Sequence, residues 1–178
     1  CSRSSSARGQ KIENPPMRIV GGRLKGRTLD APEGRGTRPT ADRVRESVFN
    51  ILAHGIEGFD LEGVTVIDVF CGTGALGMEA MSRGCGHGVF IDNDARAQTL
   101  VRQNAGPMGL GRNMLLLKLD ATRLAPPPRA AKTPAALAFL DPPYDQGLMV
   151  PALLGLKDKC WLAEGAAVVC EIAAKEEF

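Results

Sequence analysis

The segment Asp68-Val69-Phe70-Cys71-Gly72-Thr73-Gly74-Ala75-Leu76-Gly77 constrains this chain more than any other, because it joins an apolar β-rich run to a helical pattern through a G-x-G-x-x-G spacing. Glycines so placed permit a tight turn and let the backbone approach a nucleotide cofactor closely. From residue 64 onward, β-rich runs at 64–70, 88–92, 115–119, 136–140 and 166–172 alternate with helix-like segments near 75–82, 95–105 and 148–156. Strands alternating with helices predict an α/β fold with a doubly wound, mostly parallel sheet.

The glycine spacing alone also serves nicotinamide enzymes, so the acids around it decide which cofactor it suits. Asp68 precedes the first glycine by four residues. A carboxylate there repels a pyrophosphate but attracts the ammonium group of S-adenosyl-L-methionine, a cofactor with no phosphate to cradle. Asp92 ends the second β-run, where an acid can hydrogen-bond ribose hydroxyls.

A second motif, Asp141-Pro142-Pro143-Tyr144, follows the fourth β-run, at the strand end where open α/β sheets bind ligands. The two prolines hold the backbone extended and prevent a helix from starting. Asp141 and the Pro142 carbonyl can accept hydrogens from a planar amine while Tyr144 stacks on its ring. An aromatic amine is a poor nucleophile because its lone pair is delocalised. Acceptors that localise that pair and aim it lower the barrier by positioning and electrostatics.

Charge is distributed unevenly: residues 1–45 hold 11 Lys/Arg against 4 Asp/Glu, and the remainder 11 against 16. A basic front end on a mildly acidic domain fits a phosphate-backbone partner, though a solvated charged face produces the same pattern. Residues 1–16, Ser/Arg-rich and closed by two prolines, read as a flexible tail or upstream extension. Residues 17–40 read as a small basic β-hairpin and loop, and 41–178 as the catalytic domain. Within the latter, Thr40 is expected to cap a helix over 41–53 whose Val44, Val48, Ile51 and Leu52 form the apolar stripe, with Arg43 and Arg45 off it.

The longest apolar run, Ala135 to Leu140, is far shorter than the roughly 20 residues that span a bilayer, and no signal pattern opens the chain, so a cytoplasmic location is expected. The five cysteines are widely spaced without any C-x-x-C pair, which argues against a disulfide framework or a zinc site and for buried reduced thiols.

The order of acidic glycine loop, ribose acid and D-P-P-Y resembles the amino-methyltransferases of nucleic-acid bases. Within them, Arg18-Ile-Val-Gly-Gly-Arg23, Lys25-Gly-Arg27, the block from Arg38 to Asn50 and the block from Gly74 to Gly84 resemble one bacterial family, RsmD, the small-subunit ribosomal RNA guanine-N2 methyltransferases. The likeness covers about residues 17–172. It implies a Rossmann-like class I fold and metal-free transfer from S-adenosyl-L-methionine to guanine N2, in a partly or fully assembled small subunit. It also implies that Asp68, Gly72 and Gly74 contact the methionine part of the cofactor, Asp92 the ribose, and Asp120 with Ala121 the adenine. Phe70 and Asn93 complete the expected cofactor set. Asp141, Pro142, Pro143 and Tyr144 would hold the guanine, and Arg18, Arg23, Lys25, Arg27, Arg38 and Arg43 the RNA. Such enzymes usually continue through two more strands beyond the position of Phe178. The alternatives are a DNA adenine or cytosine amino-methyltransferase, disfavoured by the lack of a sizeable target-recognition insertion, and a truncated RNA-binding module without activity.

Overall fold

A computed structural model describes residues 16–32 and 39–173; the expected tail, Arg38 and the last five residues lie outside that range. Two short strands, β1 (Met17–Arg18) and β2 (Thr28–Leu29), pair antiparallel as the expected hairpin. After α1 (Pro39–His54), five parallel strands follow: β3 (Thr65–Val69), β4 (His87–Asp92), β5 (Met114–Lys118), β6 (Ala135–Leu140) and β7 (Leu162–Cys170). Their order across the sheet is β5-β4-β3-β6-β7. The chain therefore winds outward from β3 in one direction and from β6 in the other, and the crevice between those two strands is the switch point where such sheets bind ligands.

The helices α2 (Ala75–Ser82), α3 (Ala95–Ala105) and α4 (Met149–Asp158) connect the strands. Alternate strand residues enter two cores. Val66, Phe90, Leu137 and Phe139 pack with α1, α2, α3 and the hairpin on one face. Ile67, Val69, Val89, Ile91, Ala138 and Leu140 pack with α4 and Trp161 on the other. Burial on both faces explains why the strands read as nearly continuous apolar runs.

Three expectations need correction. The first helix begins at Pro39, so Thr40 lies within its first turn and does not precede it. Its buried side is only partly the one expected, since Leu52 is buried and Val48 partly so, while Val44 and Ile51 are 56% and 61% exposed and Arg45 and Phe49 are buried. Arg45 is expected off the apolar stripe, away from the buried side. It is instead 7% exposed, its Nη2 donating to Asp42 at 2.8 Å and to the Arg18 carbonyl at 2.7 Å, with Glu79 3.7 Å from its Nε. The last strand spans Leu162–Cys170, earlier at both ends than expected. Its regular pairing runs from Ala167 to Cys170, and a register shift with Gly165 at φ 72° separates that ladder from the Ala135–Leu162 pair.

Among the described cysteines, Cys71 and Cys85 are buried, Cys170 is half-buried and Cys160 is exposed, so the buried-thiol reading holds for the first two only. Burial pushes the Cys85 thiol up to about 12. No helix among the described residues is long and apolar enough to cross a membrane.

Candidate active site

A cleft of about 170 Å³ opens at the carboxyl ends of β4 and β5, lined by Phe70, Asp92, Asn93, Leu119, Asp120, Ala121, Thr122, Gln146 and Leu148. Five of the eight expected cofactor residues are among them: Phe70, Asp92, Asn93, Asp120 and Ala121. Asp92 is oriented by two backbone donors, Gly72 N at 3.1 Å and Asp94 N at 2.9 Å. Asp120 caps a short 3-10 turn, accepting from the Thr122 hydroxyl at 2.7 Å and the Thr122 amide at 2.9 Å, and these bonds hold its carboxyl below the usual range. Phe70 stands at the turn out of β3 with φ 60°, a conformation that non-glycine residues rarely adopt and that is often found at ligand sites. The lining has two carboxylates and no cation, which suits a neutral or cationic nucleoside and not a pyrophosphate.

The other three expected cofactor residues lie in or beside the glycine turn. Gly74 precedes α2 in the left-handed region at φ 77° and has no side chain with which to cap the helix. Asp68, 2% exposed on β3, supplies that cap: its Oδ2 accepts from Gly77 N at 2.8 Å. At Gly77 a Cβ would stand 2.5 Å from Phe90 Cε1 and 3.1 Å from Asp68 Cβ, so the third glycine of the motif lets helix and strand pack closely. Burial pushes the Asp68 carboxyl up to about 8, the Gly77 hydrogen bond opposes this, and Asp141 and Asp92 add to the rise. A buried carboxyl so poised holds its proton at neutral pH until a cation approaches.

The D-P-P-Y motif continues from β6 across the switch point. Asp141 N donates to Val69 O at 3.4 Å, one residue before the cleft residue Phe70. Asp141, Pro143 and Tyr144 are exposed and Pro142 is buried. Asp145 follows at φ 59°. The Tyr144 hydroxyl donates to Glu171 Oε1 at 3.0 Å, so this tyrosine is held by its polar end as well as offering a ring face.

Sequence reasoning missed Gln146, Leu148, Leu119 and Thr122 in the cleft, and Glu171 beside the motif. Glu171 had a usable signal. It stands at the carboxyl end of a parallel strand, like Asp92 and Asp141, but the run was drawn through residue 172 and so enclosed it.

The basic hairpin has two sides. Its inner side is tied into the core: Val20 N and Gly21 N donate to Glu79 at 2.9 and 2.8 Å, and Leu24 N to Ser82 Oγ at 2.9 Å. Arg83, which donates to Glu79 at 2.8 Å, lies 4.8 Å over the Phe49 ring. Its outer side exposes Arg18, Arg23, Lys25 and Arg27, and Arg43 is exposed on α1. Arg18 also faces Asp42 at 3.5 Å. No group of three His, Cys, Asp or Glu among the described residues is placed to hold a metal ion.

The chain is similar to known proteins in sequence and in fold. Ribosomal RNA small subunit methyltransferase D of Escherichia coli is 35% identical over 155 residues, covering 87% of this chain and 74% of that protein. YlbH of Bacillus subtilis is 36% identical over 155 residues, covering 87% of this chain and 82% of its own length. The solved structure of the Escherichia coli protein yhhF superposes with a TM-score of 0.74 at 31% identity, over 92% of this chain and 85% of that one. The family described as conserved hypothetical protein 95 matches residues 17–178, and the chain therefore belongs to it: it is a member of the RsmD family with a Rossmann-like methyltransferase fold.

Proposed function

We propose that this chain transfers a methyl group from S-adenosyl-L-methionine to the exocyclic N2 of a guanine in small-subunit ribosomal RNA, presented in a partly or fully assembled subunit. The observation that carries the reading is the continuity of the two half-sites, since the Asp141 amide is bonded to Val69 and the next residue, Phe70, already lines the acidic cleft. A relative named for small-subunit ribosomal RNA methylation supports the substrate class.

When bound, the cofactor supplies an electron-poor methyl group on a positively charged sulfur. The chain's own residues fit it: Asp92, aimed by the amides of Gly72 and Asp94, would hold the ribose, and Asp120, Ala121 and Asn93 would form the adenine side. Gly72 and Gly74 admit the methionine part, and Asp68 gains a cationic neighbour that favours its ionised form. Asp141 and the Pro142 carbonyl accept the amine hydrogens and localise the nitrogen lone pair, while Tyr144 stacks on the base. The exposed face of Arg23, Lys25 and Arg27 holds phosphates, which positions the RNA without reading its sequence.

Small subunits from a strain lacking the modification, incubated with the chain and cofactor and their RNA then digested to nucleosides, should yield N2-methylguanosine by mass spectrometry. N6-methyladenosine, or no methylated nucleoside, would contradict the reading.

A further inference from the structure

The carboxyl edge of the sheet carries an acid at every strand: Asp120 after β5, Asp92 ending β4, Asp68 near the end of β3, Asp141 after β6 and Glu171 after β7. The first three belong to the cofactor half and Asp141 opens the acceptor motif. Glu171 has no role in the reaction as derived above. We propose that Glu171 selects guanine, its carboxylate accepting the hydrogen of N1–H on the Watson–Crick edge of the target base while Asp141 and the Pro142 carbonyl take the two amine hydrogens. The assignment rests on the guanine-N2 reading of the site.

The D-P-P-Y motif does not choose a base by itself, because Asp141 and the Pro142 carbonyl can accept hydrogens from any exocyclic amine. Guanine differs from adenine and cytosine in placing a second donor, N1–H, beside its amine. Adenine and cytosine present a ring-nitrogen lone pair there. A carboxylate complements guanine by accepting from N1–H and repels the ring-nitrogen lone pair of the other two bases, which is how a site built for hydrogen bonds discriminates strongly.

Glu171 is placed for this task. Its amide donates to Leu140 O at 2.9 Å, fixing its backbone beside the residue that precedes Asp141. Its Oε1 accepts from the Tyr144 hydroxyl at 3.0 Å, so the ring expected to stack on the base also orients the carboxylate. That bond occupies one of about four acceptor positions on the carboxylate. The side chain is exposed on the acceptor side and outside both apolar cores.

The test compares wild type, Glu171→Gln and Tyr144→Phe in single-turnover methyl transfer to small subunits from a strain lacking the modification, with cofactor affinity and thermal melting measured in parallel. Glutamine still accepts from the Tyr144 hydroxyl but turns a donor toward one of the guanine donors. Glu171→Gln should therefore lower kcat/KM by roughly 10- to 100-fold at unchanged cofactor affinity, the scale of one lost hydrogen bond to a charged group, and Tyr144→Phe should lose less. Should Glu171→Gln match wild type, the carboxylate only holds Tyr144 and the assignment is overturned, while the site reading stands. If the wild-type product is methyladenosine, the guanine reading and this assignment fall together.

Discussion

The carboxyl edge of the sheet and the N-terminal hairpin both reach the glycine turn, and they are held in place by opposite means. At the edge the polar partners are nearer in sequence: Thr122 to Asp120 and Asp94 to Asp92 are two residues apart, Gly77 to Asp68 nine, Gly72 to Asp92 20 and Tyr144 to Glu171 27. In the hairpin the amides of Val20, Gly21 and Leu24 bond to side chains 58 or more residues away, and Glu79, which receives two of them, is fully buried. Asn104 on α3 joins the two regions, its side-chain amide accepting from Asp30 N and donating to the carbonyl of Thr73, between the two glycines. The cleft acids are thus set mainly by backbone amides near them in sequence, whereas the hairpin is held by distant, buried partners. The hairpin's hidden side is structural, and Arg23, Lys25 and Arg27 are exposed on its outer side.

The comparison breaks most directly at Glu79. Glu79→Ala removes the carboxylate partner of Arg83, leaves Arg45 with Asp42 alone and strands two hairpin amides, and should cost about 3–5 kcal/mol in urea or thermal unfolding. A loss below about 1 kcal/mol would mean that the hairpin is not latched through this carboxylate.

Asp68 gives the next largest effect, and its sign follows from the raised value. Its folded value near 8 exceeds its ordinary 3.8, so its contribution to stability without cofactor is full below the lower figure and is lost as pH climbs to about 8. Binding a cationic cofactor then releases a proton. Affinity should rise with pH by up to about tenfold per unit below pH 8 and level off above it, and Asp68→Asn should remove the slope. Calorimetry in buffers of different ionisation enthalpy measures the proton directly, and no release would take Asp68 out of contact with the cofactor charge.

Gly77→Ala sharpens the edge side of the comparison. The added methyl meets Phe90 and Asp68, and overpacking of this kind should cost about 1–3 kcal/mol and weaken cofactor binding in the same variant. An unaffected affinity would separate helix packing from the cofactor turn. The smallest effects are expected on the hairpin's outer side. Replacing Arg23, Lys25 and Arg27 with Ala one at a time should leave the melting temperature nearly unchanged while flattening the salt dependence of RNA binding by about 0.7–0.9 per lost phosphate contact. An unchanged slope would make the whole hairpin structural.

The same contrast explains what could be read before the fold was known. Helices α2 and α3 stand at their expected bounds because local signals mark their starts, the glycine turn for one and Asp94, which accepts from Arg96 N at 2.8 Å, for the other. Asp92 was legible as a cleft residue because it ends an apolar run, whereas Asp120 was expected from the family resemblance alone. Arg45 and Glu79 were not legible, since a charged residue in a helix reads as solvated until a partner from another element encloses it. Glu171 was missed for a different reason: the expected run through residue 172 enclosed it, whereas the strand ends at Cys170 and leaves it at the carboxyl edge.

The central claim is that Asp141 serves the acceptor base in a cleft whose other half holds the cofactor. Asp141→Ala, measured for cofactor affinity and single-turnover methyl transfer to small subunits, separates the two halves. The account predicts a transfer rate lower by about 100- to 1000-fold at nearly unchanged cofactor affinity. Transfer at the wild-type rate would show that D-P-P-Y is not where the chemistry occurs.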